Sequence, residues 1–284
     1  MCLADTEGEF RKFRRLGLPL LAAAALYAIY WSGHTQARSE VTAAPADSPT
    51  PAPSSQPRSA PSPRKLKRPF LIRPTELFVV ADKVGGQVMG AFDGNTLVGF
   101  ALSVPGTRSG HIYLHSHMLA VRKDHRNSGL GRRLKMMQRE EALARGIELI
   151  EWTFDPLEIK NAYLNIEKLG AIARRYNINQ YGITSSPLQG GLPSDRLIAE
   201  WWLKSERVTK LLENGKNAIV PSVTAVSVPA QIYDWKATPE TRAKAQQVQE
   251  HNREQFLRAF AEGLAVLNYE RDPEGNGRFM LGRW

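Results

Sequence analysis

Cysteine is almost absent from this chain: Cys2 is the only one in 284 residues. A single thiol cannot close an internal disulfide, and it excludes a metal centre built on clustered cysteines. Long apolar runs are also missing. The longest, Leu16 to Trp31, is shorter than the roughly 20 residues a typical spanning helix needs. No short tandem repeat is present, which excludes a solenoid. Negative charge is in deficit, so the formal net charge is +10. A basic surplus raises nucleic-acid binding as a reading. However, no basic stretch is interleaved with stacking aromatics, so no nucleic-acid partner is expected. Residues 1–68 carry 10 Lys/Arg against 5 Asp/Glu, about half of the surplus.

What is present divides the chain. Residues 1–42 are basic and apolar: Arg11, Lys12, Arg14 and Arg15 precede the Ala/Leu-rich run. This reads as a signal peptide, a short signal anchor or a mis-called translation start. The anchor reading brings membrane contact through residues 11–31, and the chemistry expected of the folded part is cytoplasmic. Residues 43–69 are a Pro/Ala/Ser-rich linker that cannot build a core. Residues 70–205 read as one folded domain, and 206–284 as an accessory region.

The folded part opens with a helix from Pro74, whose apolar face is Leu77, Val80, Ala81 and Val84, closed by Gly85-Gly86. Gln87–Phe92 and Leu97–Val104 flank Asp93-Gly94-Asn95, a hairpin signal. A strand from Ile112 to Val121 leads into Arg126-Asn127-Ser128-Gly129-Leu130-Gly131 and a helix from about Gly129 to Arg145. A helix that starts at glycines exposes unpaired N–H groups and a positive dipole end, with no side chain blocking approach. An anion such as a phosphate can therefore sit against Ser128–Gly131. A dinucleotide-binding loop would need a third glycine where Leu134 stands, and a P-loop would need Gly-Lys-Ser/Thr where Gly131-Arg132-Arg133 stands. Both fail. Downstream come a strand over Ile147–Phe154, a helix from Glu158 to Leu169, and strands at Ala171–Tyr176 and Arg196–Leu203. A strand at Ala225–Val228, a long helix from Pro239 to Ala261 and a hairpin across Asp272–Gly277 follow.

The Arg126, Gly129, Gly131 spacing after a strand ending at Val121 resembles the pyrophosphate loop of the GNAT acyl-CoA N-acyltransferase superfamily, Arg/Gln-x-x-Gly-x-Gly/Ala. Glu167-Lys168-Leu169-Gly170-Ala171 resembles the ending of that superfamily's next helix. The resemblance covers about residues 75 to 205. It implies an α/β (α+β) fold: a mixed, mostly antiparallel sheet flanked by helices, here with a C-terminal α/β extension. The family's first strand and first helix are not found where they should lie, in the linker.

The resemblance further implies an acyltransferase that takes an acyl group from acetyl-CoA or another acyl-CoA to a small-molecule or peptide amine. It places the CoA thioester against Met118, Leu119 and Val121 of the strand and against Arg126, Asn127, Ser128, Gly129, Leu130, Gly131 and Arg132 of the loop. His115 occupies the position where several members carry a catalytic Glu, and an imidazole can take an ammonium proton near neutral pH. The alternatives for His115 are a hydrogen-bonded core histidine and, with His117, half of a metal site with no evident third ligand. Glu151 is a rival base. The family's thiolate-protonating Tyr position is Ile166, so Tyr163, one turn earlier, is the candidate acid or a packing residue. Asp195 and Arg196 are candidate acceptor contacts or a surface pair. A non-catalytic acyl-CoA-binding module is the alternative function.

Overall fold

The computed structural model describes residues 12–15, 74–183, 189–217 and 220–284. Among the described residues ten strands form a single sheet in the order β1-β2-β3-β4-β5-β7-β6-β9-β10-β8. They are β1 (Lys12–Arg15), β2 (Gln87–Asp93), β3 (Thr96–Arg108), β4 (His111–Val121), β5 (Leu149–Phe154), β6 (Ile172–Asn177), β7 (Arg196–Trp202), β8 (Thr224–Val228), β9 (Leu264–Arg271) and β10 (Gly277–Arg283). Among these strands β4 and β5 pair in parallel, and the other neighbours are antiparallel. The mixed, mostly antiparallel sheet with helices and a C-terminal α/β region is the fold class expected from the sequence.

Six helices accompany the sheet among the described residues: α1 (Pro74–Lys83), α2 (Leu130–Ala144), α3 (Ile159–Ala162), α4 (Glu206–Asn214), α5 (Ile232–Ala237) and α6 (Arg242–Ala261). α3 runs straight into a π-helical stretch, Tyr163–Lys168. α1 buries Phe78 and Ala81, with Phe78 against Phe100 at 5.4 Å between ring centres. The face expected from the sequence is therefore rotated: Val80 and Val84 are exposed. Gly86 lets this helix end against β3. A Cβ there would lie 2.2 Å from the Ser103 carbonyl oxygen and 2.6 Å from that of Ala81.

The main core runs without a break from β4 and β5 to β9 and β10, taking in Leu114, Trp152, Trp201, Phe256 and Phe279. Trp152 and Trp201 meet edge to face at 6.1 Å. The C-terminal residues thus widen the sheet, with β9 beside β6 through Ala173 and Val266. Ion pairs fasten the same join. Lys236 reaches Asp155 at 3.1 Å and Glu158 at 3.2 Å, all three largely buried.

The N-terminal segment brings a correction. Lys12–Arg15, expected as the basic flank of an anchor, is a strand antiparallel to β2, with Lys12 opposite Phe92 and Arg15 opposite Met89. It covers an edge that would otherwise present unpaired N–H and C=O groups. Among the described residues no helix is long and apolar enough to cross a membrane, which overturns the membrane-anchored expectation. The apolar run itself and the linker lie outside the described residues.

A chain starting at Lys67 should therefore leave the β2 edge open and self-associate. Light scattering would show this as species larger than those of the full chain under the same conditions. Equal size and equal melting temperature would show that Lys12–Arg15 adds nothing to the sheet.

Candidate functional site

The site is built where β4 and β5 part. They share two pairs, Leu114 with Ile150 and His115 with Glu151, and then no more. Each strand stays held on its other edge: β4 by β3 through Val121, and β5 by β7 through Phe154. The separation starts at a bulge. Leu102 faces Met118 and Ser103 faces Ser116, which leaves His117 as the extra residue on β4. A bulge bends its strand and increases local twist, so β4 turns out of line with β5. The inner edges of Met118–Val121 and Trp152–Phe154 then carry main-chain groups with no strand opposite. Such groups call for another partner.

The open end of this wedge meets the start of α2. Lys123–His125 form one 3₁₀ turn, Asn127 stands at φ +61° and Gly129 at φ +76°. Gly129 is the N-cap and no side chain caps the helix. The first-turn N–H groups therefore have no intrahelical acceptor and no side-chain substitute. Gly129 is required by its left-handed backbone. Gly131 is not required by the fold: a Cβ there would make only ordinary contact with Leu119 Cδ2, at 3.6 Å. What its missing side chain leaves open is approach from outside. Arg126, Asn127, Ser128 and Arg132 are exposed around this start, whereas Leu130 is buried beneath it. Arg126 Nε donates to the Val121 carbonyl at 3.3 Å, tying loop to strand end. The donor set and the open cradle fit a pyrophosphate.

The side chains of β4 alternate about the wedge. Met118 packs on the α1 core, while Val121 packs with Leu130 and Leu134 under α2. Ser116 points to α2 and joins a buried polar network. Lys135 Nζ donates to Ser116 Oγ at 2.7 Å, and Ser116 Oγ donates to Gln138 Oε1 at 3.1 Å. Gln138 Nε2 donates to Ser103 Oγ at 2.6 Å, and Ser103 Oγ donates to Gln87 Oε1 at 2.9 Å. These bonds fix α2, and with it the loop, onto three strands.

His115 is half-buried, with its ring 6.2 Å from that of His117. Burial, and then the neighbouring His117, lower its pKa below the ordinary histidine value. It is thus neutral at neutral pH and able to accept a proton. Glu151 lies directly opposite but is not free. Both its oxygens accept from Arg108, and Arg175 donates to one of them as well. Glu200, next along the same row, accepts from Arg174, Arg175 and Trp202. A carboxylate so engaged anchors arginines and has little lone-pair capacity left for a substrate proton.

The other candidates separate. Tyr163 is half-buried at the start of the π-helical stretch, and Lys168 Nζ lies 5.1 Å from its ring centre. Ile166 is fully buried in the main core, so no acid can act from that position. Asp195 is no surface residue. It is fully buried, accepting from Tyr176 at 2.7 Å, the Asn179 backbone N–H at 2.9 Å and Arg253 at 2.8 Å. Arg196 donates to the Asp195 carbonyl and to Gln189. Both brace the loop before β7. Sequence reasoning missed Lys135 altogether. The one available signal was a lysine beside Leu134 on the apolar face of α2.

A sheet parted at one parallel pair of strands, with an uncapped glycine-rich helix start at its mouth, offers free main-chain groups along a strand edge and at a helix terminus. Residues 49–164 match the family model described as Acetyltransferase (GNAT) family. Similar solved structures include yncA from Salmonella typhimurium, described with its cofactor acetyl-CoA: 14% identity, 76% of this chain and 100% of that one covered, TM-score 0.46. The acetyltransferase of GNAT family from Streptococcus pneumoniae is 15% identical over 67% of this chain and 98% of its own, with TM-score 0.45. The ribosomal-protein-S18-alanine N-acetyltransferase from Escherichia coli is 15% identical over 69% and 96%, with TM-score 0.45. No curated protein matches in sequence. The similarity is therefore to the GNAT acetyltransferase family over residues 49–164, and the residues beyond 164 lie outside that match.

Gly131→Glu separates fold from ligand. A side chain there starts with only ordinary contact to Leu119 Cδ2, and glutamate favours a helix over glycine, so the melting temperature should be unchanged or raised. CoA affinity measured by calorimetry should fall sharply, because bulk and negative charge stand where the pyrophosphate would sit. Unchanged affinity would show that nothing binds against this glycine.

Proposed function

We propose that this chain is an N-acyltransferase that moves an acyl group, acetyl being the simplest, from an acyl-CoA to the amine of a small molecule or peptide. The observation that carries the reading is the uncapped start of α2 at Gly129–Gly131, set at the mouth of the wedge between β4 and β5. In this reading the N–H groups and basic residues of Arg126–Arg132 hold the CoA pyrophosphate. The free edge of Met118, Leu119 and Val121 holds the arm that follows. Acyl-CoA supplies an activated carbonyl. The protein supplies orientation, main-chain donors toward the developing oxyanion, and proton transfer.

His115 is the general base in this reading. It stands at the closed end of the wedge, is neutral near neutral pH, and faces no carboxylate that is free to compete. Tyr163 is the weaker partner, placed on the helix after β5 with its ring beside Lys168. A second reading, a non-catalytic acyl-CoA-binding protein, is favoured by one observation: the family's acid position is Ile166, and it is filled by core. Thioester cleavage assayed with a panel of amines separates the two. Amine-dependent release of CoA thiol supports transfer. Tight CoA binding with no release for any amine supports the binding module.

Removing the base should cost about 10²–10⁴-fold in turnover, the usual scale of general base catalysis. His115→Ala is expected to lose activity on that scale while keeping CoA affinity. The parent pH–rate profile should rise through a midpoint below the ordinary histidine value of 6.5, because burial lowers the His115 pKa. The variant should lack that rise. Full activity in His115→Ala would transfer the role to water or to an amine that arrives deprotonated.

A further inference from the structure

One buried cation has no part in the chemistry described so far. Lys135 is 4% exposed and has no carboxylate partner among the described residues. Its ammonium makes one hydrogen bond, to Ser116 Oγ at 2.7 Å, and lies 3.8 Å from the ring centre of Trp152. Ser116 and Trp152 are the first residues on β4 and β5 beyond the last shared pair, His115 with Glu151. Lys135 Nζ therefore sits at the apex where the two strands part. A hydrogen bond to one strand and a cation–π contact to the other hold it there. An ammonium has three N–H donors. The hydroxyl and the ring face take two directions, and the third has no acceptor among the described residues.

A buried lysine costs stability unless its charge is paired, because burial disfavours the charged form. A methionine there would carry no charge to desolvate, and Gln138 would still tie α2 to Ser116 and Ser103. Burial lowers the Lys135 pKa to about 7, so near neutral pH it exchanges a proton readily. The titratable groups facing the apex are few. On β4, His115 feels the charge of Lys135; on β5, Glu151 is engaged by Arg108 and Arg175. From α2 itself, Gln138 completes the network to Ser116.

We propose that Lys135 is the proton donor to the leaving thiolate in acyl transfer at the apex of the wedge, the role that Ile166 cannot fill. The proposal rests on the acyltransferase reading. The amine nitrogen attacks the thioester carbonyl carbon, and His115 takes the proton that the nitrogen loses. The C–S bond breaks, and the sulfur takes a proton from the Lys135 ammonium. The amide and the free thiol leave, and solvent returns a proton to Lys135 and removes one from His115. His115 and Ser116 are neighbours on a strand and so project to opposite faces. Base and acid thus approach the carbonyl and the sulfur from the two sides of the sheet.

Bromoacetyl-CoA tests the placement without relying on turnover, because its electrophilic carbon sits beside the thioester carbonyl. The full chain should be alkylated at Lys135, more rapidly as pH rises through about 7, the Lys135 value, and unlabelled CoA should protect it. Peptide mapping by mass spectrometry reads the site. Kinetics tests the role. Lys135→Met should bind CoA as the parent does and melt no lower, yet lose about 10²-fold in kcat, the low end for acid–base catalysis. It should also lose the fall in rate that the parent shows on the alkaline side. Labelling elsewhere with CoA binding intact would overturn the proposal. So would an unchanged pH profile and kcat in Lys135→Met. Labelling at Lys135 in a chain that acylates no amine would overturn the transfer reading, and the proton donation with it. Absence of CoA binding would remove both.

Discussion

β4 and β5 run side by side in parallel for two residue pairs and then separate, and the rest of the site depends on that separation. A sheet does not give up main-chain hydrogen bonds freely, since each buried unpaired group costs as much as a lost bond. Here the loss is tolerated because each strand is secured elsewhere. β3 pairs with β4 along ten residue pairs, and β7 pairs with β5 along six. The extra residue at His117 sets the direction in which β4 leaves. α2 then spans the gap from beneath, tied to Ser103, Ser116 and Gln87 by its buried Gln138. The wedge is a stable part of the fold, and its mouth opens at a helix start that no side chain caps.

The C-terminal residues belong to this arrangement through the core. β9 sits beside β6, and α6 places Phe256 against Tyr176 at 5.8 Å and against Phe279 at 5.2 Å. Arg253 of the same helix reaches the buried Asp195, and that contact holds the loop leading into β7. β7 is in turn the strand that keeps β5 in place. The additional region therefore supports the outer wall of the wedge from two strands away. Separating it from the first part of the chain would expose the apolar faces of both.

Much of this was legible in the residues. The hairpin at Asp93-Gly94-Asn95, the glycine pair at 129 and 131 and the strand before them follow from turn chemistry and periodicity, and the elements stand where those signals put them. α4 was missed although its signals were present: Ser205 caps its N-terminus and Gly215 ends it in the left-handed conformation. The π-helical stretch carries no such signal, because packing against β9 and the core decides it. The face of α1 was misjudged because Val80 and Val84 share helical spacing with Leu77, yet Phe78 holds the larger apolar surface and wins the buried position. β1 was hidden because four mostly basic residues read as a charged flank, and only the unpaired edge of β2 explains their pairing. The site was legible as a loop and a strand. The parting of β4 and β5, the engagement of Glu151 and the placement of Lys135 depend on neighbours far apart in sequence, and no local pattern carries them.

The central claim is that one ligand bridges the uncapped start of α2 and the free edge of β4. Amide hydrogen exchange of the full chain, with and without CoA, tests it directly. Added CoA should slow exchange in two short stretches, the first turn of α2 around Leu130–Arg132 and the strand at Met118–Val121, with the C-terminal strands unchanged. Protection confined to other elements, or to the helix start alone, would contradict the account.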